Sequence, residues 1–364
     1  MDQDKFIHGG NIHSFLRKTS AEAKVLDFSA NINPLGLSFQ VKNTILNSIA
    51  EIIHYPDPAC YSLKKTIAEF YQINKKKIII GNGAVELLYI LCHVLRPKQA
   101  LILAPSFSEY ERAARAAHSK INYFYLSEQD NFLFPTETLI KKLKNIDLCF
   151  IGNPNNPTGN LLTIEEIEKI LIAAKKENCY IVLDESFIDF VKNDLLYTAR
   201  SLLDKFENLI LLQSLTKFYA IPGLRLGFAA MSEQLIKKLE LAKDPWNVNV
   251  LAQKAGIAGL KDIEYQIKTK QFVQKSKDSF FHQLANISNL KIYNPSVNFI
   301  LLKILNETME AQHLKTLLMK KNILIRDCSN YPGLNNFFVR IAVKSEAENQ
   351  ILLREIKTIF EARR

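Results

Sequence analysis

The sequence has no C-x-x-C pair, no internal repeat and no low-complexity segment. No apolar run approaches the roughly 20 residues that a bilayer-spanning helix needs. Its five cysteines, Cys60, Cys92, Cys149, Cys179 and Cys328, are odd in number and widely spaced. That pattern argues against a disulfide framework and a zinc site; free thiols, a reducing compartment and no metal are expected. Residues 1–10 mix charges with isolated apolar side chains. No secretory leader is therefore expected, and the chain reads as a soluble, cytoplasmic protein with no membrane partner. The formal net charge is +10, but the lysines are scattered in pairs such as Lys141-Lys142 and Lys237-Lys238. Most fall at helical spacing among apolar residues, which suits solvated helix faces. No nucleic-acid partner is expected; a modest steering of anionic substrates is.

What is present is a large apolar content, 48% of 364 residues. That is enough for one large domain and one smaller. The opening holds a short helix at 12–17, a strand at 25–28 and an amphipathic helix at 39–53 with Ile45, Ile49 and Ile52 on one face. A further helix at 61–71 follows the break His54-Tyr55-Pro56-Asp57-Pro58. Then strands and helices alternate. Strands are expected at 78–80, 100–103, 122–126, 148–151, 180–184, 209–212 and 226–230, and helices at 84–95, 110–117, 135–143 and 164–177. This alternation predicts an α/β fold with a mainly parallel seven-stranded sheet covered by helices. A short helix at 235–243 and one long helical region at 248–285 follow. The tail reads as α+β, with strands at 299–302 and 337–342 and helices at 310–321 and 346–363. The expected division is a large domain over 37–285 and a small one made of 1–36 and 286–364.

In such sheets ligands belong at the carboxyl ends of the strands. The candidate chemistry lies there. The run Asn208 to Leu212 leads into Gln213-Ser214-Leu215-Thr216-Lys217, then Pro222-Gly223-Leu224-Arg225. Taken alone, a lysine after a strand reads as a surface side chain. Burial lowers a lysine's pKa, and a neutral amine attacks an aldehyde. Hydroxyls and an arginine suit a phosphate. Together these are the needs of pyridoxal phosphate (PLP), an aldehyde to capture and a phosphate to hold. Asp184 ends another apolar run, where a carboxylate stabilises a protonated pyridinium. Gly81-Asn82-Gly83 joins a strand to a helix whose N-terminal amides suit a phosphate. Asn153-Pro154-Asn155-Asn156-Pro157-Thr158-Gly159 is by itself a turn.

Together these segments resemble the class I and II, fold-type I family of PLP-dependent aminotransferases, over nearly the whole chain. The resemblance implies that Lys217 bonds the cofactor aldehyde and Asp184 meets its ring nitrogen. It implies that Asn156 bonds the ring oxygen and Phe107 stacks on the ring. Gly83, Ala84, Val85, Ser214, Thr216 and Arg225 would hold the phosphate. Tyr55, in Tyr55-Pro56-Asp57-Pro58, would reach the cofactor phosphate of a neighbouring subunit, so a homodimer with shared sites is implied. Arg340 would clamp a substrate α-carboxylate, and Arg326 a distal phosphate.

Two groups within that family are nearest: the threonine-phosphate decarboxylases of cobalamin biosynthesis and the histidinol-phosphate aminotransferases. His8-Gly9-Gly10-Asn11, the segment Asp27 to Gly36 and Arg326-Asp327-Cys328-Ser329-Asn330-Tyr331 resemble the decarboxylases. Pro245-Trp246-Asn247-Val248-Asn249 adds a weaker match. Substrate binding by His8, Asn31, Ile32, Arg326 and Arg340 is implied, with a small phosphorylated amino acid as substrate. The aminotransferases usually carry tyrosine three residues after the pyridinium aspartate, where this chain has Phe187. The expected activity is decarboxylation of O-phospho-L-threonine to (R)-1-amino-2-propanol O-2-phosphate. Histidinol-phosphate transamination with 2-oxoglutarate is the alternative, and a PLP-fold binding protein without catalysis the third reading.

Overall fold

The inner strands of the large sheet are mostly apolar, as strands covered on both faces must be, while the edge strand Lys120–Tyr125 mixes in exposed and polar residues. The computed structural model describes residues 8–17 and 25–362. Among these, seven strands form one sheet in the order Ile78–Gly81, Gly227–Ala230, Leu209–Ser214, Tyr180–Asp184, Leu148–Gly152, Gln99–Ala104, Lys120–Tyr125. Gly227–Ala230 runs antiparallel to both neighbours. The other pairings are parallel. Successive side chains leave a strand on opposite faces. Leu209 and Leu211 therefore join one core with Ile181 and Leu183, while Ile210 and Leu212 join another with Val182 and Phe150. Helices Ala84–Leu95 and Glu109–Ala116 cover the second face with Leu87, Leu88, Leu91 and Ala113. Helices Tyr61–Tyr71, Ile164–Lys176 and Val250–Lys261 cover the first with Leu63, Ile67, Ile170 and Ala255. The Ile164–Lys176 helix opens on a capping box, Thr163 with Glu166.

A second, antiparallel sheet orders Arg326–Asp327, Phe338–Ala342, Phe299–Ile304 and Leu290–Ile292. Leu26–Asp27 pairs in parallel with Ile323–Leu324. That pairing brings the N-terminal segment to the C-terminal one, and Phe28 joins a core with Phe280, Leu314, Leu352 and Ile356.

Three readings change in detail. The 39–53 helix is α-helical only over Phe39–Ser48, then tightens to a 3-10 helix over Ile49–Ile53. Its isoleucine face is split: Ile45 packs partly buried against the core beside the buried Val41, whereas Ile49 and Ile52 are exposed. The 248–285 region is two helices, Val250–Lys261 and Ile263–Ala285, divided at Asp262. The Asp262 carboxylate accepts from Tyr265 N at 3.2 Å and so caps the second helix. The strands Leu290–Ile292, Ile323–Leu324 and Arg326–Asp327 are too short to show a period. The leader reading over 1–10 falls mostly on residues 1–7, which, like the end of the 346–363 helix, lie outside the described residues. Among the described residues, no helix is long and apolar enough to cross a membrane.

Candidate active site

Four loops leave the carboxyl ends of the parallel strands and converge on one cavity of about 430 Å³. The strand Leu209–Ser214 delivers Ser214, Thr216 and Lys217, and Tyr180–Asp184 delivers Asp184 as its last residue. Leu148–Gly152 leads to Asn156, and Gln99–Ala104 to Phe107. Ala84 and Val85, Arg225, Asn31 and Ile32, Arg326, Arg340 and His8 complete the walls. Gly83 lies behind them. Tyr55 lies outside, exposed, its ring 4.8 Å from that of Trp246.

Burial pushes the Lys217 amine down to about 8; Asp184 opposes this, and the charges of Arg225 and Arg340 add to it. About a tenth of the amine is then neutral at pH 7, far more than in an ordinary lysine, and it is the neutral form that acts as a nucleophile. Its carbonyl accepts from Asn33 N at 3.0 Å, which ties the N-terminal loop to the lysine. Asp184 is buried and held from two sides. Its Oδ2 accepts from the Tyr110 hydroxyl at 2.7 Å and its Oδ1 from Ser186 N at 2.9 Å. Burial and the Asp184 charge push the Tyr110 hydroxyl well up, so it remains a donor. Tyr110 is itself fixed between rings, stacked on Phe150 and edge-on to Phe107.

A narrow cradle lies at the start of the Ala84–Leu95 helix. Gly83 adopts φ +82°, and a Cβ there would stand 2.4 Å from Arg225 Nη2. Only glycine lets the guanidinium lie against the turn in this way. A Cβ on Gly227 would stand 2.5 Å from Ala84 N, so the helix start also packs on bare backbone. The helix has no side-chain N-cap, which leaves its first amides to a ligand. Ser214 Oγ and Thr216 Oγ1 sit 2.8 Å apart in the same cavity wall. Free amides, two hydroxyls and a guanidinium fit a phosphate; the depressed lysine and the buried carboxylate fit an aldehyde-bearing pyridine ring.

Opposite them stand the arginines. Arg340 is 5% exposed. It donates through Nη1 to Asn156 Oδ1 and through Nη2 to Ser29 O at 2.7 Å. Its Nε and the Oδ1 of Asn31 are buried without hydrogen-bond partners, an arrangement that a bound polar ligand would relieve. Burial pushes the Arg340 guanidinium down, but from so high a value that it stays charged. Arg326 donates through Nη1 to Asp327 O and through Nη2 to Asn330 Oδ1, both at 2.7 Å, and its guanidinium lies 5.1 Å from the Tyr331 ring centre. Lys217, Arg225, Arg326, Arg340 and Arg112 line the cavity against two carboxylates, Asp184 and Glu109. Such a field favours ligands with several negative charges.

Sequence reasoning missed Tyr110, Glu109, Ser29 and Tyr331. The aromatic–acid–aromatic order Phe107, Glu109, Tyr110 after a strand end was the available signal for the first two.

Comparison with known proteins shows the family. Residues 23–356 match the family model described as aminotransferase class I and II. A protein of Caldanaerobacter subterraneus subsp. tengcongensis, provisionally named a threonine-phosphate decarboxylase, is 38% identical over 354 residues, covering 97% of this chain and 94% of the relative. The threonine-phosphate decarboxylase of Salmonella typhimurium is 34% identical over 355 residues, covering 97% and 96%. Among solved structures, the histidinol-phosphate aminotransferase of Clostridium acetobutylicum superposes with a TM-score of 0.86 at 32% identity, covering 92% of this chain and 99% of that one.

Proposed function

Because the chain belongs to the class I and II aminotransferase family, we propose that it is a PLP-dependent carboxy-lyase acting on O-phospho-L-threonine. The products are (R)-1-amino-2-propanol O-2-phosphate and carbon dioxide, a step of cobalamin biosynthesis. The observation that carries this reading is the near-full-length likeness to relatives named for that activity. The cavity agrees with it: two further arginines, Arg340 and Arg326, line it in addition to Arg225. They suit a substrate that is anionic at both ends.

Bound PLP supplies an electron sink for the bond broken at the substrate's α-carbon. Lys217 would hold the cofactor aldehyde. Asp184, aimed by Tyr110 and Ser186, would keep a proton on the ring nitrogen. Asn156 would meet the ring oxygen and Phe107 the ring face. Ala84, Val85, Gly83, Ser214, Thr216 and Arg225 would take the cofactor phosphate. Arg340 would take the α-carboxylate, and Arg326 with His8 the substrate phosphate, beside Asn31 and Ile32. Gripping both ends fixes which bond is presented for cleavage, so that binding energy sets geometry. When carbon dioxide leaves, one proton must reach the α-carbon, and Lys217, as its ammonium, would deliver it.

The reading includes a cytoplasmic homodimer, with domains over 37–285 and over 1–36 with 286–364. Phe39, Leu46, Ile49, Ile52 and Ile53 expose apolar side chains on the helical segment that leads to Tyr55. We assign this face to a second copy, with Tyr55 reaching the partner's cofactor phosphate.

Histidinol-phosphate transamination is the second reading, favoured by the 0.86 superposition. Phe187 speaks against it, since it lines the cavity without a hydroxyl. The test is to supply O-phospho-L-threonine and measure released carbon dioxide, and in parallel to supply histidinol phosphate with 2-oxoglutarate and measure glutamate. Carbon dioxide without glutamate is expected. Glutamate without carbon dioxide overturns the decarboxylase reading, and neither product points to a binding protein.

A further inference from the structure

Glu109 is an unexpected side chain for this cavity. It is a carboxylate, its side chain only 6% exposed, in a wall that is to receive anions. A free carboxylate there would repel the substrate. Its charge is instead fully engaged. Oε1 meets His8 Nε2 at 2.6 Å and lies 3.6 Å from Arg112 Nη1, and Oε2 accepts from the Tyr89 hydroxyl at 3.1 Å. Burial pushes the Glu109 carboxyl up, but the His8 and Tyr89 hydrogen bonds and the Arg112 charge outweigh it and hold it below the usual range.

The other half of the contact is the N-terminal segment. His8 reaches Glu109 across 101 residues of sequence, and its ring centre lies 5.5 Å from that of Phe107. Gly9 lies directly on the cavity wall, where a Cβ would stand 2.1 Å from Ser29 O. Gly10 N donates to Ser29 Oγ at 2.8 Å. The backbone thus fixes where the segment runs, and the Glu109 hydrogen bond, beside the Phe107 ring, fixes where the imidazole points. The His8 side chain keeps 39% of its surface open, so it is held without being buried.

We propose that Glu109 is a positioning residue for substrate recognition: it holds His8 against Phe107 at the cavity edge, where the imidazole donates to the distal phosphate of the substrate. This rests on the reading of the substrate given above. Glu109 acts only through His8 and does not touch the ligand.

The test is a double-mutant cycle on the PLP-loaded protein. Binding of O-phospho-L-threonine is followed by the change in the cofactor's visible absorption, with L-threonine as the control ligand. Carbon dioxide is measured in the same samples. Glu109→Ala should weaken O-phospho-L-threonine binding about tenfold or more, the scale of a lost charge-assisted hydrogen bond. It should leave L-threonine binding unchanged. Glu109→Gln, which keeps the shape and one acceptor, should weaken it less and guards against a folding defect. His8→Ala should match Glu109→Ala, and the double variant should be no worse than either. Additive losses, or equal losses for both ligands, overturn the positioning role. A coupled loss of binding without carbon dioxide from the wild type overturns the decarboxylase reading and leaves the role of Glu109 standing. No binding of O-phospho-L-threonine by the wild type overturns both.

Discussion

The sheet side of the cavity, with Lys217, Asp184 and Asn156, stands within a few residues of parallel strands of one sheet. The facing side, with His8, Asn31, Arg326 and Arg340, is drawn from both ends of the chain. The first side is placed by hydrogen-bonded register: Asp184 pairs with Leu212 of the lysine strand, and Gly152 with Asp184. The second is placed by docking. Leu26–Asp27 pairs with Ile323–Leu324, and Arg340 reaches back to Ser29. The difference separates two tasks. On the proposed reading, the sheet side would carry the cofactor chemistry and the segments from the two chain ends would choose the substrate.

The two sides should therefore break separately. Arg340→Lys removes a fork that a point charge cannot replace. It should raise KM for O-phospho-L-threonine by roughly tenfold to a hundredfold, the range of charged hydrogen bonds. The cofactor's visible band should persist, because Lys217 and Asp184 remain and the new lysine keeps the positive charge that acts on Lys217, even though the contact with Asn156 is lost. Loss of the band together with the rise in KM would mean that the two sides are one unit. A smaller effect sharpens the sheet side. With the Lys217 amine held at about 8, the neutral fraction rises as pH climbs through that value. Cofactor uptake by the stripped protein should then rise about tenfold between pH 7 and 9 and level off above. Uptake that still climbs steeply at pH 10 would mark an ordinary lysine.

The same contrast governs what the sequence reveals. A charged residue at the end of an apolar strand, as Asp184 ends Tyr180–Asp184, is visible because it breaks a strong pattern. Lys217 and Arg225 are visible for the same reason, together with the Pro-Gly turn between them. Tyr110 and Glu109 leave only the weak signal of an aromatic–acid–aromatic order, because an aromatic or acidic residue in a first helical turn is ordinary. Their meaning lies in partners 74 and 101 residues away. The exposed face of Ile49 and Ile52 was legible as apolar but not as outward-facing, since periodicity marks a stripe without saying what covers it. The large sheet could be read from its mostly apolar four- to six-residue strands, whereas the two- and three-residue strands Leu290–Ile292, Ile323–Leu324 and Arg326–Asp327 carry no period.

The most direct test is to load the wild-type protein with PLP, fix any covalent bond with borohydride, and locate the added mass by peptide mapping. The mass should lie on the peptide containing Lys217 and on no other. Its appearance on a different lysine, or no attachment at all, would contradict the placement of the chemistry at the end of the Leu209–Ser214 strand.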